Sequence, residues 1–126
     1  MRTVHQLATA AMRRLAATDQ NEEPSAAERA IAVDLYDEKY AELADDELVY
    51  WDNSGDPEAA EIPALVFGAL SRILAEELAP HIGVPIPSEQ GENGEGPLSI
   101  GTKGMRMLRR RIGRRASGAP TEINAF

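Results

Sequence analysis

An all-α fold, a small helical bundle of three to four helices with an extended C-terminal arm, is the architecture that this sequence predicts. Three observations predict it. The run from Ile62 to Gly83 carries Val66, Leu70, Ile73, Leu74 and Leu78 at steps of three and four, which sets them on one face of a helix. Ser25 stands directly after Pro24 and is followed three residues later by Glu28. A serine and a glutamate at that spacing close a helix start, because each side chain pairs a backbone N–H left without a partner. Aromatics make up 5% of the chain, so alanine and leucine carry the apolar content, and closely packed thin helices suit that supply better than an aromatic sandwich.

Taken in order, Thr3 caps a first helix running to about Ala17, with Val4, Leu7, Ala8, Ala11 and Leu15 on its apolar side. Residues 18–24 are polar and read as a loop. The second helix starts at Ser25 and runs to about Leu43, with Ile31, Leu35, Tyr36, Tyr40 and Leu43 facing inward. Asp45, Asp46 and Glu47 break the pattern. Leu48 to Trp51 is then either a brief strand or an extended segment whose Trp51 plugs a helix junction. Residues 52–57 are a turn cluster. In the central helix Pro63 suits the first turn, where no N–H is needed, and Pro80 with Gly83 ends it.

Beyond Gly83 the prolines at 85 and 87 extend the chain, and residues 88–96, SEQGENGEG, have almost nothing to bury. A last helix is expected from about Lys103 to Gly113, with Met105, Leu108 and Ile112 on one stripe and Arg106, Arg109, Arg110 and Arg114 mostly off it. The organisation expected is therefore a helical core over residues 1–83, a flexible acidic Gly- and Pro-rich loop over 84–102, and a basic helix with a C-terminal arm over 103–126.

Composition narrows the function. A chain of 126 residues allows one small domain, and with no cysteine there is neither a disulfide framework nor thiolate chemistry. No apolar run reaches the roughly 18 residues of a membrane span. The net charge of −8 is unevenly spread: residues 1–100 hold six basic residues against 20 acidic ones, whereas residues 101–126 hold seven against one. An acidic body with a basic end points to two surfaces with different partners.

Catalytic patterns are absent from the sequence. His5 and His81 stand far apart, and a metal site needs more ligands at ordered spacing. Asp45–Asp46 and Glu76–Glu77 are adjacent, so on a helix they point about 100° apart and do not share a proton. The segment Gly96 to Lys103 resembles a phosphate-binding loop with its last two residues in the wrong order. The chain is accordingly expected to be no enzyme and to need no cofactor or metal. For the basic segment Lys103 to Arg115, docking on an acidic protein surface ranks first, phosphate contact second and a solvated helix face third. No aromatic interleaves its arginines, which disfavours stacking on single-stranded nucleic acid.

The order of elements resembles a known family. A short Ala-rich helix and a loop precede Glu22-Glu23-Pro24-Ser25-Ala26-Ala27-Glu28, which opens a longer helix. A later helix closes as Leu74-Ala75-Glu76-Glu77-Leu78-Ala79-Pro80-His81-Ile82-Gly83. Over residues 3–83 this is similar to the head-to-tail connector (adaptor, or tail accessory factor) proteins of tailed bacteriophages. The resemblance implies a structural virion protein of the neck, made in the host cytoplasm. It would assemble as a ring of typically twelve copies beneath the portal, extend the DNA channel and offer the tail a platform. It implies as partners further copies of the chain, the portal protein, a downstream tail or neck protein, and packaged DNA that passes without sequence-specific binding. C-terminal segments in this family extend to grip the portal or a neighbouring subunit. Met105, Arg106, Leu108, Arg109, Arg110, Ile112, Arg114, Ile123 and Phe126 occupy the place of that contact. The competing functions are a small helical DNA-binding regulator that uses the basic helix, and a helical interaction protein of the toxin–antitoxin or chaperone type.

Overall fold

A computed structural model describes residues 1–15, 23–91 and 94–118. Among them are four helices and one small antiparallel sheet: α1 (Val4–Arg14), α2 (Ala26–Asp45), α3 (Ala64–Ile82), β1 (Ser88–Gln90), β2 (Pro97–Ser99) and α4 (Ile100–Gly118). The all-α class is as the sequence predicts.

Both early helices start as their sequences require. Ser25 Oγ accepts the Glu28 amide at 3.2 Å while Glu28 accepts the Ser25 amide at 2.9 Å. Thr3 and Gln6 make the same reciprocal pair at the start of α1. The end of α2 is less ordinary. The amide of Leu48 reaches back to the Leu43 carbonyl at 2.8 Å, and that of Glu47 to Ala44 at 3.0 Å. This double closure requires a left-handed residue, normally glycine, and here it is Glu47 at φ 59°. Leu48 to Tyr50 are not a strand. Trp51 is buried against α2, its indole N–H donating to Tyr36 Oη at 3.0 Å while Tyr40 Oη donates to the Trp51 carbonyl at 2.5 Å.

Helix α3 is the centre of the molecule, and α1, α2 and α4 all pack on it. The expected stripe of Val66, Leu70, Ile73, Leu74 and Leu78 is buried, and so are Ala69, Ser71, Ala75 and Ala79. At 100° per residue these cover most of its circumference, which is why a helix of this length has so little polar surface. Gly83 provides the left-handed cap at φ 75°. Pro80, expected to help end the helix, lies inside it. Its missing N–H costs a single bond, and the remaining turn is closed by the Gly83 and Val84 amides on the Ala79 carbonyl.

The largest departure from the sequence reading follows Gly83. The expected flexible loop contains an antiparallel hairpin with Ser88 opposite Ser99, Glu89 opposite Leu98 and Gln90 opposite Pro97. The last helix starts three residues before Lys103, at Ile100, whose amide donates to the Pro87 carbonyl at 2.9 Å. Helix α4 then packs along α3. Ile100 and Leu108 are fully buried, and Met105, Met107 and Ile112 lie partly buried against the same core. The first part of the basic segment therefore belongs to the folded body, and only residues beyond it remain for an arm.

Candidate functional site

Helix α4 approaches α3 closely because two glycines face it. A Cβ on Gly104 would stand 2.8 Å from the Ala69 carbonyl oxygen and 2.9 Å from Ile73 Cγ1. One on Gly101 would stand 2.7 Å from the Glu76 carboxyl carbon. Glu76 Oε1 accepts the Gly101 amide at 2.9 Å, so a carboxylate of α3 takes an N–H at the start of α4 that would otherwise lack a partner. The loop-like segment Gly96 to Lys103 is therefore already supplied with an anion from its own chain. Ser99 completes the start, its Oγ accepting the Thr102 amide at 3.3 Å.

The packing sorts the expected contact residues. Arg106, Arg109 and Arg110 are exposed, and Arg106 pairs with Glu95. Leu108 has no exposed surface and fills the core of its own chain, so it is not an anchor for a partner. Met105 and Ile112 are half-buried and share that inward role. The side chain of Arg114, and Ile123 and Phe126 altogether, lie outside the described residues.

The structure gathers a cation cluster that the sequence reading missed. Glu89 on β1 accepts Arg72 Nε at 2.7 Å, with Lys103 Nζ at 3.7 Å and Arg14 Nη1 at 3.9 Å. Arg14 Nε also donates to Ser71 Oγ at 2.6 Å, and that hydroxyl donates to the Gly68 carbonyl at 2.8 Å. Arg111 donates to the Leu65 carbonyl at 3.2 Å, its Nη1 within 4 Å of a Cβ built on Gly68, as is that of Arg72. Burial alone would push the Glu89 carboxyl up. The Arg72 hydrogen bond and the charges of Arg72, Lys103 and Arg14 outweigh burial and hold it below the usual carboxylate range. Burial and then the charge of Arg72 lower Arg14, against the opposing pull of Glu89. These residues come from α1, α3, β1 and α4, so no sequence spacing announces them. The one available signal is the Gly101–Gly104 pair, which shares the face of Leu108 and marks a helix meant to lie flush on another.

The acidic surface is separate. Asp34, Asp37, Glu38, Glu42, Asp45, Asp46 and Glu47 are all exposed on or just after α2. Lys39 is the one base among them, and it bonds Glu77 at 2.7 Å and Glu42 at 3.2 Å. Among the described residues no three His, Cys, Asp or Glu side chains gather to hold a metal ion, and no helix is long and apolar enough to cross a membrane. Comparison of the chain with protein-family models, with curated proteins and with solved structures finds no match.

Proposed function

We propose that the chain is a structural virion protein without catalytic activity: a head–tail connector subunit of a tailed bacteriophage. Copies form a ring under the portal, twelve in number as the resemblance implies, and the ring extends the DNA channel and receives the tail. The observation that carries this reading is the separation of charge on one small body. The exposed charged residues of α2 are all acidic, α4 presents Arg106, Arg109 and Arg110, and both helices are braced on α3. Such a body joins head to tail with copies of itself, the basic helix of one facing the acidic helix of the next. Acidic side chains that this contact leaves open to the channel would repel phosphates and let the duplex slide. The arm role falls to the residues beyond α4, with Ile123 and Phe126 as its apolar anchors.

The test is sedimentation and negative-stain imaging of the purified protein mixed with portal, compared with a chain lacking residues 116–126. The expected result is a ring on the portal for the full chain and a folded but unattached truncated one. Failure of the full chain to join the portal, with sequence-independent DNA binding supplied by the basic helix, would replace this reading with the DNA-binding regulator.

A further inference from the structure

The β1–β2 hairpin lies across a strip of cations. Its Glu89 meets Arg72 at 2.7 Å, Lys103 at 3.7 Å and Arg14 at 3.9 Å, and its Glu95 meets Arg106. Lys103 and Arg106 stand three residues apart on α4, while Arg72 comes from α3 and Arg14 from the end of α1. Three helices thus present four cations to two carboxylates. Both carboxylates belong to a single short excursion of the chain that carries almost no apolar burial. The side chains of Arg14, Arg72, Lys103 and Glu89 keep between 17% and 29% of their surface open, so the strip is reachable from solvent once the hairpin yields. The hairpin is held by its own ladder, by the Gly91 amide on the Gly96 carbonyl at 3.3 Å, by Gln90 Nε2 donating to the Glu95 carbonyl at 2.6 Å, by packing on α4, and by these ion pairs.

We propose that Arg14, Arg72, Lys103 and Arg106 form a binding strip for a phosphodiester polyanion, with the β1–β2 hairpin as its internal competitor and Glu89 and Glu95 standing where phosphates would stand. The spread of the cations is the reason for a polyanion over a compact ligand: one anion in the place of Glu89 meets Arg14, Arg72 and Lys103 but leaves Arg106, which pairs with Glu95, and a row of anions meets all four. Phosphodiester chemistry is favoured over an acidic peptide for a second reason. An external carboxylate offers the contacts that Glu89 and Glu95 already make within the chain. A nucleic-acid strand carries a dense row of charges and gains counterion entropy on binding. Arginine forks also suit phosphate oxygens in pairs. This inference shares Arg106 with the basic face of α4 invoked above, whereas Arg14, Arg72 and Lys103 play no part in the connector reading.

The experiment measures binding of a labelled duplex of about 20 base pairs at about 50 mM salt to the full chain and to Glu89→Gln/Glu95→Gln. The double variant is expected to bind about ten-fold tighter, with a log–log salt slope steeper by about 2, each phosphate contact contributing roughly 0.9. Adding Arg72→Gln and Lys103→Gln should remove the gain. A control, Glu38→Gln/Asp45→Asn on α2, changes net charge equally and should give no comparable gain. Equal gain in the control, or a gain that survives loss of Arg72 and Lys103, overturns the proposal. If circular dichroism shows the double variant unfolded, Glu95→Gln alone decides: tighter binding in the same direction supports the proposal, and no change overturns it. Tripolyphosphate and polyglutamate compete in parallel. Micromolar displacement by tripolyphosphate assigns the strip to a small phosphate ligand, and displacement by polyglutamate in preference to duplex overturns the phosphodiester assignment.

Discussion

The Glu76 carboxylate accepts the Gly101 amide at 2.9 Å, which ties α4 to α3 at a point where neither helix has room for another atom. Three residues on, a methyl group on Gly104 would meet backbone at Ala69. Gly104→Ala should therefore destabilise the fold by about 1–3 kcal/mol through overpacking, despite the better helix propensity of alanine. At about 4 °C per kcal/mol for a domain of this size, thermal melting followed by circular dichroism reads the loss. An unchanged or raised Tm would mean that α4 does not lie against α3 at this position.

Leu108 and Arg109 are adjacent on α4 and should behave oppositely. Leu108 is fully buried, so Leu108→Ala leaves a cavity and costs about 2–5 kcal/mol. Arg109 is exposed, and Arg109→Ala should stay within about 0.5 kcal/mol of the parent. Urea titrations of both variants measure the difference.

Glu47 holds a left-handed conformation that costs a side-chain-bearing residue energy and glycine almost none. Glu47→Gly should stabilise the protein by about 0.5–1 kcal/mol, seen as a higher denaturation midpoint with unchanged m-value.

Glu89 and Tyr36 each make stability depend on pH. Glu89 titrates below the ordinary carboxylate range in the fold. Its contribution is fully present above the unfolded pKa and is lost as pH falls from there through the folded value. Glu89→Gln should flatten that acid limb. Tyr36 is pushed up to about 12, first by burial, with the Trp51 hydrogen bond opposing and Tyr40, Asp37 and Glu61 adding to the rise. The unfolded chain gives up this proton nearer 10, so stability should fall as pH rises between those values. Tyr36→Phe should remove that alkaline loss. At neutral pH it should cost about 1–3 kcal/mol, because it leaves the Trp51 indole N–H buried without an acceptor. Trp51 fluorescence follows both titrations.

Helices α1 to α3 were readable because their signals are local. A serine and a glutamate three residues apart, or leucines at helical spacing, carry their structural meaning within one or two turns. The hairpin and the start of α4 were not readable for the opposite reason. Glu89 sits in a polar run with nothing to bury, and what holds it is arginine and lysine from three other elements. Leu108 reads as a contact residue because it follows a polar loop, with no local signal of a place in the core before that loop. That α3 buries most of its circumference depends on small residues, Ala69, Ala75 and Ala79, whose apolar contribution a leucine-centred reading undervalues. The left-handed Glu47 was hidden because nothing in its identity favours that conformation.

The backbone exchange between Arg2 and Ile62, with the Arg2 amide on the Ile62 carbonyl at 2.9 Å and the Ile62 amide on the Arg2 carbonyl at 3.0 Å, has a bearing on synthesis. During synthesis Arg2 leaves the ribosome sixty residues before its partner Ile62. Arg2 must wait for that partner while the residues of α2 pass between them. Closing that loop carries the logarithmic entropy cost of a long ring, and it completes only when the start of α3 is available. The backbone closure at the head of α1 thus waits for residues that lie beyond α2, although α1 comes earlier in sequence.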